Sequence, residues 1–340
     1  MQSIVARPAA RTAEFPPHTS FSAIGVGPWL CKYAWFVLAW NVAVILWGAV
    51  VRATGSGAGC ANSWPLCNGQ VIPASPQIAT IIEFTHRLMT GGATITIFAL
   101  VFWTFRATRT RHLARICAVA SALLLLNEAF LGALLVKLGY VVANQSTGRF
   151  VVLPIHLANT LLLLAALALT AHFLNRESGF MNGSVEYRFL GITLIGLAAT
   201  VAVGVTGSLA ALGDTLFPNA TFAQDFAQTS PWILRLRWVH PAASVVAALF
   251  VVATIWVSGV RESETNRRLT HFVLGLILFQ CALGGIDVLL RAPTWMQIVH
   301  LLGADIFWSA LIVLSARIVV VPLGCPGNVC SLSATRSGSR

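Results

Sequence analysis

With 340 residues, 57% of them hydrophobic and 10% charged, and a mean hydropathy of +0.79, the chain has more apolar surface than a soluble domain of this length can bury. Its formal charge of +11 does not mark a nucleic-acid partner. The basic residues fall mainly in short connections between apolar runs, which is the positive-inside pattern of a protein in a lipid bilayer.

The first thirty residues carry Arg7, Arg11, Glu14 and a Pro16-Pro17 pair, with no apolar core. The first span is therefore expected to act as an uncleaved anchor. Apolar runs long enough to cross a bilayer follow at 31–52, 78–104, 114–138, 150–174, 188–211, 234–259, 269–290 and 295–320. The expected fold is an all-α integral membrane protein of eight transmembrane helices. Placing the amino terminus inside puts most of the 22 basic residues on the inner side, with both termini cytoplasmic.

The two halves repeat. Thr54-Gly55-Ser56, leaving the first helix, recurs as Thr206-Gly207-Ser208 leaving the fifth, and Leu131-Gly132 recurs at the same offset as Leu283-Gly284. Two four-helix bundles of the same orientation are the natural organisation. The expected division is a tail over 1–30, a first unit over 31–174, a linker over 175–187, a second unit over 188–320 and a tail over 321–340.

Within this frame four histidines stand out. Glu83-Phe84-Thr85-His86-Arg87 opens the second run, and Arg237-Trp238-Val239-His240 is its counterpart in the sixth. His156 and His300 occupy the fourth and eighth runs. Each comes roughly six to eight residues after the outer start of its helix, about 9–12 Å deep at about 1.5 Å per residue. A single such histidine is accounted for by a hydrogen bond to a neighbouring carbonyl. Four at matched depth, paired in each half, form a geometry that holds a haem iron from both sides. Zinc would want four ligands together, whereas these pairs belong to separate bundles. His112, His172 and His271 lie near inner ends and His18 in the tail, outside any matched pair.

The halves differ three residues before the first histidine. Arg237 can pair with a haem propionate. Glu83 cannot do so while ionised, but it can take or deliver a proton near the ring edge; a salt bridge to Arg52 or Arg87 is the structural alternative. This asymmetry suggests a reactive first half and an electron-handling second half. Glu128, Asp287 and Asp305 are buried-looking acids that could line a pocket or pair with Arg149 and Arg291. Cys60 and Cys67 share one outer loop, where the Pro65 turn can bring them into a disulfide, as a staple or as a redox pair. Cys325 and Cys330 share the tail on the reducing side and are expected to be free thiols or without a role.

These residues resemble the haem A synthase family: the stretch from Gly48 to Gly57, Cys60 to Cys67 with Trp64-Pro65-Leu66, Glu83 to Arg87, His156-Leu157-Ala158-Asn159, Trp238-Val239-His240-Pro241 and the segment around His300. The similarity covers roughly 31–320. It implies an enzyme of a bacterial inner membrane that oxidises the C8 methyl of haem O to a formyl group, making haem A for cytochrome oxidase. It implies haem b as cofactor on His240 and His300, haem O as substrate against His86 and His156, a catalytic Glu83, and electron or substrate handling by the outer cysteines. Haem O synthase, cytochrome oxidase assembly proteins and further copies of the chain are candidate partners. Some members carry another cysteine pair in the third outer loop, but 212–233 contains no cysteine here, so a thiol relay between the halves is in doubt. The rival readings are a di-haem, quinol-linked electron carrier and a parallel-repeat transporter.

Overall fold

The computed structural model describes residues 26–74, 76–175, 183–260 and 264–322. The expected terminal tails lie largely outside these residues, and so do His18, Cys325 and Cys330. Among the described residues, eight helices are long and apolar enough to cross a membrane. They are α1 (Pro28–Ala53), α2 (Ile78–Ala107), α3 (Leu113–Lys137), α4 (Thr147–Leu174), α5 (Tyr187–Leu216), α8 (Val239–Ser258), α9 (Glu264–Leu289) and α10 (Thr294–Val319). Two short helices, α6 (Phe222–Phe226) and α7 (Trp232–Arg235), lie between α5 and α8.

Helices form here because hydrocarbon offers the backbone no partner, so each span must satisfy its own N–H and C=O groups. Their ends are marked locally. Pro28 opens α1, the Ser146 hydroxyl accepts the Arg149 N–H at the start of α4, and Gly259 closes α8 in the left-handed conformation at φ 61°. Ile95, Phe102, Leu123, Leu249, Trp256 and Leu278 stand exposed, as side chains facing lipid do.

Two four-helix units result. In the first, α1 packs on α2, α2 on α3, α3 on α4, and α4 returns to α1; in the second, α5, α8, α9 and α10 repeat this cycle. The units meet where α4 packs against α10, while α4 also touches α5 and α10 touches α1. An exchange of the two units maps this set of contacts onto itself, as a pseudo-two-fold requires. Leu164, Leu167 and Ala171 of α4 and Leu311, Leu314 and Ile318 of α10 contribute to the apolar core. The Trp308 indole N–H donates to the Leu161 carbonyl at 2.6 Å, tying α10 to α4.

One sequence expectation is corrected. Thr206-Gly207-Ser208 does not leave the fifth helix: α5 continues to Leu216. Polar residues persist in its last turns because they have partners, Asp214 with Arg237 and Thr215 with Arg52. The expected linker also includes a strand, β1 (Gly183–Val185), which pairs antiparallel with β2 (Val320–Pro322).

Candidate functional site

Each of the four histidines sits against a glycine of the neighbouring helix. A Cβ built on Gly48 of α1 would stand 3.1 Å from Cε1 of His86 on α2, and one on Gly207 of α5 would stand 2.9 Å from Cε1 of His240 on α8. The second histidines repeat the arrangement. Gly132 of α3 would approach Cε1 of His156 on α4 at 4.0 Å, and Gly284 of α9 would approach Cε1 of His300 on α10 at 3.3 Å. Small residues let helix backbones approach closely in a membrane. Here they make room for an imidazole edge, and they do so at equivalent places in both units.

The ring nitrogens show how these imidazoles are used. His240 Nδ1 lies 3.1 Å from the Val203 carbonyl, so the tautomer that donates from Nδ1 leaves Nε2 as its free nitrogen. His240 and His300 have ring centres 6.3 Å apart and planes at 90°. Two imidazoles that bind one metal from opposite sides, each nitrogen about 2 Å from it, have ring centres about 6 Å apart. In the first unit, His86 and His156 are near enough to interact electrostatically. Nδ1 of His86 and of His300 is buried without a hydrogen-bond partner among the described residues. In the second unit the donor set, its spacing and the glycine cradles fit a haem iron held between His240 and His300; the first unit repeats the donor types and the glycines.

Glu83 is 3% exposed and belongs to a clamp on the disulfide loop. Its Oε1 is 2.5 Å from the Arg87 guanidinium, and its Oε2 accepts the Cys60 N–H at 2.8 Å. Arg87 also donates to the carbonyls of Leu66, at 2.7 Å, and Pro65, at 3.2 Å. The Thr80 hydroxyl donates to the Gly59 carbonyl at 2.7 Å. Cys60 and Cys67 are disulfide-bonded, and the loop they close is fastened to α2 by Thr80 and Glu83 before His86 and by Arg87 directly after it.

Arg237 is held between two carboxylates, Asp214 of α5 and Asp225 of α6, the latter at 3.1 Å. A guanidinium has five N–H donors, so this pairing leaves others free. Arg52 does not pair with Glu83. It crosses from the first unit to the second, donating to the Ala211 carbonyl at 2.7 Å, the Thr215 hydroxyl at 2.6 Å and Gln297 Oε1 at 2.7 Å.

Glu128 is the participant that sequence reasoning left without a role. It does not pair with Arg149, whose guanidinium serves the carbonyls of Val142 and Asn144. Its Oε1 lies 3.2 Å from His156 Nδ1, an approach in distance that is bent away from hydrogen-bond geometry. Thr160 and Asn159, from the turn of α4 after His156, donate to its two oxygens. The signal was present in the spacing: Glu128 precedes Gly132 by one helical turn, and Asn159 and Thr160 follow His156 by one turn, so each set shares a face. Asp287 Oδ1 and Asp305 Oδ2 are buried without a partner among the described residues.

The family described as cytochrome oxidase assembly protein, COX15-CtaA, matches residues 31–312. A heme A synthase of Alkalihalophilus pseudofirmus is 38% identical over 275 residues, covering 79% of this chain and 90% of that protein. A heme A synthase of Exiguobacterium sp. is 28% identical over 293 residues, covering 84% and 92%. A Thermus thermophilus protein named protoheme IX farnesyltransferase is 43% identical over 295 residues, which are 84% of this chain and only 48% of that protein. The chain thus spans about half the length of this Thermus relative. The match over 31–312 takes in all four histidines, Glu83 and the disulfide loop: the chain belongs to the COX15-CtaA family.

Proposed function

We propose that the protein is a haem A synthase, an integral membrane oxidoreductase that converts the C8 methyl group of haem O to a formyl group. The observation that carries this reading is the double placement of imidazoles on glycines, with His240 and His300 6.3 Å apart between ring centres. The similarity to heme A synthases over most of their length supports the choice of reaction. The Thermus relative, named for attaching a farnesyl group to protoheme IX, supports a haem as the class of substrate.

The roles divide by unit. His86 and His156 hold the substrate haem, and His240 and His300 hold haem b. When bound, haem b supplies a nearby centre that can change charge by one electron. Glu83, one turn before His86, takes protons released as the methyl carbon is oxidised, and Arg87 and the Cys60 N–H fix where its carboxylate stands. Arg237, steadied by Asp214 and Asp225, directs its remaining donors to a haem b propionate. The similarity to bacterial heme A synthases supports a bacterial inner membrane, and the lysine and arginine distribution supports both termini in the cytoplasm and both sites in the outer half.

The test is expression of the full chain alongside a source of haem O, followed by extraction and mass analysis of the bound haems. Haem A or a hydroxylated haem O is the expected product. Haem B alone, with haem O unchanged, would overturn the reading in favour of an electron carrier.

A further inference from the structure

The two units differ at a set of positions around the second histidine. In the first, Glu128 lies one turn before the glycine that cradles His156, and Asn159 and Thr160 donate to its carboxylate. Asn127 in turn donates to Asn159 Oδ1 at 2.8 Å, and Asn159 Nδ2 also reaches the Leu124 carbonyl at 2.9 Å, so the amide is held in place. In the second unit the residue one turn before Gly284 is Gln280. The positions following His300 that correspond to Asn159 and Thr160 are Gly303 and Ala304. Gln280 donates to the His300 backbone carbonyl at 3.2 Å, and its own Oε1 is buried with no partner among the described residues. A side chain at Gly303 would strike the Gln280 amide. One unit thus carries a carboxylate with donors on both oxygens, whereas the other carries a neutral amide packed over a glycine.

We propose that Glu128 is a positioning residue for His156, setting its ring and making it the more electron-donating of the two second histidines. The inference rests on the reading of a haem in each unit. A carboxylate facing the non-ligating nitrogen of a metal-bound imidazole fixes the tautomer and raises ligand basicity. A more basic axial ligand, with a negative charge beside it, favours the oxidised iron and lowers the reduction potential. A haem held by His86 and His156 would then lie lower in potential than it would without the Glu128 carboxylate.

The test is a spectroelectrochemical titration of the purified full chain carrying haem in both units, in which the transition lost in His156→Ala belongs to the first. Glu128→Gln, nearly the same in shape, is expected to raise that potential and leave the second-unit transition in place. Glu128→Asp, which keeps the charge, is expected to stay near the unsubstituted protein. A first-unit haem lost from Glu128→Gln but retained by Glu128→Asp would also support the assignment. The proposal is overturned if Glu128→Gln leaves the first transition where it was, if it moves both transitions alike, or if Glu128→Asp shifts or sheds the haem to the same extent. With haem bound in both units, those results count against Glu128 alone; failure of the unsubstituted chain to bind haem in either unit would overturn the two-site reading as well.

Discussion

Gly207 lies beneath the imidazole of His240, so close that a methyl group in place of its hydrogen would stand 2.9 Å from the ring. The ring cannot retreat freely, because its Nδ1 is bonded to the Val203 carbonyl of the same helix that carries Gly207. Gly207→Ala is therefore expected to tilt His240 away from His300. Overpacking of this kind costs about 1–3 kcal/mol, or about thirtyfold in haem retention near the middle of that range. Gly48→Ala, at 3.1 Å from His86, should do the same in the first unit to a smaller extent, whereas Gly132→Ala, at 4.0 Å from His156, should be tolerated. Haem-to-protein ratios of the three purified variants test this order; equal losses in all three would show that the glycines serve helix packing alone.

Glu83 offers a separation of binding from chemistry. Glu83→Gln retains the shape and an acceptor for the Cys60 N–H, but removes the charge that pairs with Arg87. If the carboxylate takes protons from the substrate, Glu83→Gln should bind haem in both units yet lose turnover by about 100-fold or more, the range of general acid–base contributions. Glu83→Ala should additionally loosen the disulfide loop, seen as faster proteolysis between Cys60 and Cys67. Product analysis beside limited proteolysis distinguishes the two effects. Full turnover in Glu83→Gln would reduce Glu83 to a loop clamp.

Much of this architecture is legible in the sequence because bilayer physics restricts the alternatives. A run such as 150–174 can only be a helix at membrane depth, and the recurrence of Leu131-Gly132 as Leu283-Gly284 marks glycines that do face equivalent histidines. The other recurrence misleads. Thr54-Gly55-Ser56 follows α1, whereas Gly207 is interior to α5, and its spatial counterpart beneath a histidine is Gly48. Short motifs register the helices wrongly when the two copies of a helix differ in length at one end. Side-chain partners were still less accessible. Nothing in the spacing tells that Arg52 reaches the second unit, or that Arg237 is held by Asp214 and Asp225, because these pairs depend on how the units pack.

A pH-dependent element lies at the opposite end of the helices from the haem sites. His112 precedes α3, and its Nδ1 accepts the Ala114 N–H at 3.2 Å, a cap that only an unprotonated nitrogen can make. Burial, and then the neighbouring Arg115, hold its pKa below the ordinary 6.5. The unfolded chain therefore binds this proton more readily than the folded one. The contribution is present in full above the unfolded value and is lost as the pH falls below it. Thermal unfolding in detergent should show stability falling between pH 8 and pH 5, and His112→Asn should remove that fall, since an asparagine caps without titrating. A slope unchanged in His112→Asn would place the pH dependence elsewhere.

Arg52 makes the sharpest prediction about coupling between the units. It belongs to α1, one turn beyond the glycine under His86, yet its guanidinium ends on the second unit, at Ala211, Thr215 and Gln297. Gln297 lies one turn before His300, and its Nε2 is itself fixed on the Ala292 carbonyl at 2.6 Å. Removing the guanidinium leaves these acceptors without their charged donor, at about 1–3 kcal/mol for each group that water cannot reach. Arg52→Met should therefore lower the melting temperature by about 5 °C and weaken haem binding at His300, although the substitution is made in the other unit. Lysine keeps the charge but has no planar fork to divide among separate acceptors, so Arg52→Lys should recover only part of the loss. The measurement is haem occupancy of each unit, resolved by spectrum, alongside thermal unfolding. A loss confined to the first unit would mean that Arg52 acts through α1 and His86, and that the bridge to α5 and α10 contributes little.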